Sequence, residues 1–168
     1  MFESAISKGA AVCAALLILG GALAVMTTSS GSRKSSEGRF SRDRIELVTS
    51  GGVRQIEAEI AVSPAEQAMG LMYRTSLADD HGMLFLHPKP QEVSMWMHNT
   101  YISLDMVFIR ADGVVHRIEA RCEPLSDRVI ASEGPVTGVL ELAGAAAGRL
   151  GLKPGDTVRH SHFANTRR

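Results

Sequence analysis

An α+β domain, dominated by a curved antiparallel sheet or small β-barrel and carrying two short helices, is the fold class this sequence predicts. Three observations predict it. Ile56, Ala58, Ile60 and Val62 alternate with Gln55, Glu57, Glu59 and Ala61, the period of a strand with one wet face. Asp112-Gly113 stands between two apolar runs as a two-residue hairpin turn. Ser63-Pro64-Ala65-Glu66 offers an N-cap serine, a proline at the first helical position and a glutamate at the third, which together make a capping box.

Along the chain, Ile45 and Leu47 begin a weaker strand that Ser50-Gly51-Gly52 turns into the alternating one. The helix after Ser63 puts Ala65, Ala68, Met69 and Met72 on one face and is expected to end by Arg74. Strands are expected over 83–86, 92–97 and 105–109, separated by "HPKP" and "HNTYIS", and 114–120 pairs back across the Asp112-Gly113 turn. Residues 121–134 lack periodicity and read as a long loop. Then come a buried strand over 136–142, an alanine-rich helix over 143–150 stopped by Gly151, a turn at Lys153-Pro154-Gly155-Asp156 and a last strand over 157–160.

The ends differ from this domain in composition. Residues 9–26 are 18 uncharged, apolar or small residues behind Lys8, and Ala22-Leu23-Ala24 is an A-x-A cleavage pattern, so 1–26 reads as a secretory signal peptide. An uncleaved membrane anchor is the alternative, because 18 helical residues nearly cross a core of roughly 30 Å. The cations Arg33, Lys34, Arg39, Arg42 and Arg44 outnumber Glu37 and Asp43, and for a bare anchor they would hold that side in the cytoplasm. Export to the periplasm or cell envelope is the preferred reading, with membrane contact only through the N-terminal segment. Residues 27–43, rich in Ser, Thr, Gly and Arg, are expected to be a disordered linker, 44–162 one globular domain and 163–168 a tail.

Lysine plus arginine equals aspartate plus glutamate at 18 each, which gives no field to recruit nucleic acid. Removing the leader takes Cys13 with it and leaves Cys122, read as a small half-buried residue, with no internal disulfide partner. Zinc-type C-x-x-C, H-E-x-x-H, G-x-S-x-G and phosphate-loop spacings are absent, and no cofactor is expected.

The segments "GLMYR" (70–74), "GMLF" (82–85), "WMHNT" (96–100) and Leu104-Asp105 resemble the bacterial and archaeal family called domain of unknown function 192, whose pattern runs "RGLM-R", "GMLF", "WMKNT", "PLD". The resemblance covers about residues 45–160. Met69 stands in place of the family's usual arginine before Gly70, and His98 where lysine is common.

These residues nominate a surface. Arg74 is expected at a helix C-terminus, where a cation is favourable. Asp105 opens an apolar strand and must meet donors: Arg74, the Asn99 amide or backbone N–H groups. A buried Arg74–Asp105 pair is the simplest expectation. Trp96 at a strand end reads as a core or rim aromatic or as a ligand shelf, and Asn99 and Thr100 as turn-capping residues or groove contacts. Arg74, Trp96, Asn99, Thr100 and Asp105 are thus expected to line a groove of a noncatalytic envelope module for a small polar ligand or peptide. One alternative is a hydrolase using Asp105 with His98. Another is copper binding at Met95-x-Met97-His98, with core packing the preferred reading of the methionines. His160-x-His162 adds a possible two-residue metal clip.

Overall fold

The structure, a computed structural model, describes residues 40–165. The expected leader or anchor over 1–26, and the linker as far as 39, lie outside the described residues. Strands β1 (Ser41–Thr49) and β2 (Gly52–Ala61) form the expected hairpin, paired from Ser41↔Ile60 to Thr49↔Gly52. Ser50 and Gly51 make its two-residue loop, and Gly52 supplies the left-handed φ of 111° at its exit. Ser41, Arg42 and Asp43, assigned to the linker, belong to β1. Their exposed polar side chains hide a ladder made by backbone groups alone.

Helix α1 (Pro64–Met69) starts where predicted: Ser63 accepts from the Glu66 N–H, and the Glu66 carboxylate accepts from the Ser63 N–H at 2.8 Å. Its last residue is Met69, capped by Gly70 with φ 47°, so Arg74 is five residues beyond the helix rather than at its end. None of its residues is buried, and Ala68, Met69 and Met72 of the predicted face border a cleft, while Ala65 does not.

The remaining elements are β3 (His81–Gln91), β4 (Ser94–Met95), β5 (Leu104–Ile109), β6 (Val115–Cys122), β7 (Ile130–Ala131), β8 (Val136–Ala143), α2 (Ala146–Arg149) and β9 (Thr157–Arg159). Seven strands form one sheet in the order β6-β5-β8-β3-β2-β1-β9, antiparallel except where α1 carries β2 over to a parallel β3. The sheet curls into a half-barrel. Its two edges touch beyond the Asp112-Gly113 turn, where Val114 bridges Thr157 and the Val158 N–H donates to the Gly113 carbonyl at 2.8 Å.

Several local expectations change. β3 runs on through "HPKP" with a register shift between Leu86 and Gln91, because Pro88 and Pro90 interrupt the ladder without ending the extended chain. The strand expected over 92–97 shrinks to β4, which leaves the main sheet to pair with β7, itself inside the expected long loop. The alanine-rich helix is only four residues long.

Apolar side chains pack on both faces of the sheet, Ile45, Leu84, Val107, Leu140 and Phe163 on one and Met83, Phe85, Met106, Phe108 and Val139 on the other. This is why β5 is buried at every position and β8 at all but its last. The assignment of 163–168 as a tail is corrected at its first residue. Phe163 is buried against Gly138, where a Cβ would come within 2.8 Å of the ring.

Candidate functional site

The fold disperses the predicted groove residues. Asp105 is fully buried and, among the described residues, forms no ion pair with an arginine side chain. Its Oδ1 accepts the N–H groups of Arg121 at 2.7 Å and Ala145 at 2.8 Å, and its Oδ2 accepts that of Ala147 at 2.9 Å. The carboxylate therefore fastens a left-handed turn of β6 and the start of α2 to β5. Arg74 donates instead to Glu59 of β2 at 2.7 Å, beside a separate shallow depression. The expected Arg74–Asp105 pair is thus corrected: the strand carboxylate took the backbone donors, and the cation took the Glu59 carboxylate. The hydrolase dyad falls with it, since the His98 imidazole bonds Asp127 at 2.8 Å while Asp105 is sealed on backbone amides.

Asn99, at φ 53°, caps a turn: its amide donates to the Tyr73 hydroxyl at 3.1 Å and its carbonyl accepts the Tyr73 N–H at 2.9 Å. Thr100 is buried, its hydroxyl donating to the His98 carbonyl. Met83, Met97 and Met106 are fully buried in the core, while Met95 is half-buried on a cleft wall, so the Met95-x-Met97 pair has only one side chain with access to a ligand. His160 lies against Asp43, and the His162 ring reaches the His87 carbonyl, so the two clip histidines are engaged separately. Among the described residues no group of three His, Cys, Asp or Glu could hold a metal ion. Burial pushes the Cys122 thiol up to about 11, the behaviour of an inert packing residue.

Two of the nominated residues do converge. Trp96 and Thr100 border a cleft of about 250 Å³ between α1 and the β4 segment, which Arg74, Asn99 and Asp105 do not reach. Met69, Met72, Phe85 and Met95 are among the residues of its apolar wall, and Trp96, 53% exposed, borders it. On its floor is Glu141 of β8, 4% exposed, with Oε2 buried and without a hydrogen-bond partner among the described residues.

The sheet register explains that isolation. Glu59, Met83, Glu141, Met106 and Glu119 lie in one row across five neighbouring strands. Glu59 has Arg74, and Glu119 has Arg117 and Arg128, but Glu141 sits between two methionines. Desolvation alone lifts its carboxyl to about 8, so it is mostly protonated at neutral pH. His87, also on the wall, leaves its Nε2 buried and without a partner among the described residues, and its imidazole is held below its ordinary value by burial and then by His162.

A family model described as "Uncharacterized ACR", domain of unknown function 192, matches residues 46–160. The chain belongs to this family. Two solved structures from the comparison resemble it. A candidate transcription regulator from Sinorhizobium meliloti 1021 is 41% identical, with a TM-score of 0.72, covering 74% of this chain and 97% of its own. A protein of unknown function from Novosphingobium aromaticivorans DSM 12444 is 38% identical, also with a TM-score of 0.72, covering 74% of this chain and 89% of its own. No curated protein matches.

The family motifs "GLMYR" and "WMHNT" turn out to supply parts of the cleft rim, through Met72, Trp96, His98 and Thr100. Glu141 belongs to none of the quoted motifs. Its signal was nonetheless present: an acidic residue inside the apolar run "VTGVLELA" raises the same question about donors as Asp105.

Proposed function

We propose that this member of the domain of unknown function 192 family is a noncatalytic binding module whose ligand occupies the cleft between α1 and β4. One observation carries the reading: the cleft is a preformed concavity, apolar on its walls, with a few inward polar groups at its base. Ligand sites are built in this way. The small polar ligand or peptide first expected becomes a small, largely apolar molecule, because Arg74 is engaged elsewhere and Asp105 is sealed. A formal net charge of zero favours such a partner over nucleic acid. Export to the cell envelope is part of the same proposal and rests on the apolar run over 9–26 and its Ala22-Leu23-Ala24 pattern.

Ala68 provides the test, because it is exposed on α1 and borders the cleft. A tryptophan there fills the space without entering the core. Fragment binding followed by heteronuclear NMR should cluster on the cleft and disappear in Ala68→Trp, with the melting temperature retained. Fragments that bind elsewhere, or that bind Ala68→Trp unchanged, would refute the proposal.

A further inference from the structure

We infer that the cleft takes a neutral, largely apolar molecule bearing a hydrogen-bond acceptor such as a carbonyl oxygen, and that the Glu141 carboxyl, in its protonated form, donates to it. The inference rests on the cleft being a ligand site and goes beyond it to the chemical class. Two polar groups that line the cleft lack partners among the described residues, the Glu141 Oε2 and the His87 Nε2. The Gln91 amide nitrogen lies 3.0 Å from His87 Nδ1, so Nδ1 accepts and the proton of the neutral ring is on Nε2. Both orphans can therefore present an N–H or O–H to a ligand, and neither is charged at neutral pH.

The surroundings of Glu141 sharpen the choice. From β3 and β5 it is faced by Met83 and Met106. Of the titratable groups, Cys122 lies close enough to feel its charge, and His87 and His98 stand on the cleft walls with His98 turned to Asp127. Farther along the row, Glu59 and Glu119 are held by arginines. Among the described residues no cation lines the cleft, so an anionic ligand would be buried without a counter-charge from them, which is costly. An ammonium group would bring three donors to a floor with one carboxylate, and the Thr100 hydroxyl is already turned to the His98 carbonyl. One neutral acceptor satisfies what the site offers.

Three probes of nearly equal shape separate these cases: acetophenone, 1-phenylethylamine and ethylbenzene. Each is titrated into the full-length chain, followed by the fluorescence of Trp96, the chain's single tryptophan, and by NMR shifts of the cleft methionine methyls. Acetophenone should bind about tenfold more tightly than ethylbenzene at pH 7, because it meets a buried donor otherwise left unmade. Its affinity should fall about tenfold between pH 7 and pH 9 as Glu141 ionises, while the Cys122 thiol stays protonated. Glu141→Gln, which keeps a donor and cannot ionise, should bind acetophenone with no such fall. Tightest binding by the amine, strengthening with pH, would overturn the inference in favour of a cation. Equal binding of acetophenone and ethylbenzene would overturn it and leave an apolar site. If none of the three perturbs the cleft, the binding module and the ligand class both fail.

Discussion

Asp105 Oδ2 accepts the Ala147 N–H at 2.9 Å, so a strand carboxylate caps a helix that has no side-chain cap of its own. With the Arg121 and Ala145 amides on Oδ1, it joins β5, β6 and α2 at one buried point. Asp105→Ala should cost on the order of 4 kcal/mol in urea melts, because it strands buried N–H groups as well as removing charge-assisted bonds. Asp105→Asn keeps one acceptor oxygen and should cost roughly half as much. A loss below about 1 kcal/mol for the alanine variant would mean that water replaces the carboxylate.

The partner of Arg74 can be checked by a double-mutant cycle. Arg74 and Glu59 should couple by up to about 1 kcal/mol, the range of a partly exposed pair. Arg74 and Asp105 should be additive to within about 0.5 kcal/mol. Coupling of the second pair would restore the ion pair expected from sequence.

Glu141 makes stability depend on pH in a stated direction. The unfolded carboxyl ionises near 4.5 and the folded one near about 8, so between those values the folded protein holds the extra proton. Stability should therefore fall as pH rises from 4.5 to about 8 and level off above. Glu141→Gln removes that slope and should stabilise the domain at pH 7 by on the order of 3 kcal/mol. Denaturant melts from pH 5 to 9 decide it, and parallel curves for the two proteins would show that Glu141 is not desolvated.

Phe163 should behave as a core residue. Phe163→Ala should cost on the order of 3 kcal/mol, and a stop codon in its place at least as much, since the ring seals one face of the sheet against Gly138. A truncated chain of unchanged stability would return this residue to the tail.

The sequence by itself determined what neighbouring residues decide among themselves. The capping box at Ser63 and Glu66, the Ser50-Gly51 turn, the place of the hairpin at Asp112-Gly113, and the strand alternation before Ser63 each depend on groups a few positions apart, although that second turn has three residues, Ala111 to Gly113, and not the expected two. Dihedral preference and local hydrogen bonding are sufficient there. Family membership was legible for the same reason, because its motifs are short runs. Tertiary structure alone chose partners. The donors to Asp105 lie 16, 40 and 42 residues away, and sequence could say only that a buried carboxylate must find some. Glu59, Glu119 and Glu141 resemble one another as letters in strands. Arginines from loops and from β6 reached the first two, while register across the strands left the third between Met83 and Met106 beneath a cleft. A carboxylate's chemistry follows the dielectric and the charges around it, and those are set by which strands lie side by side.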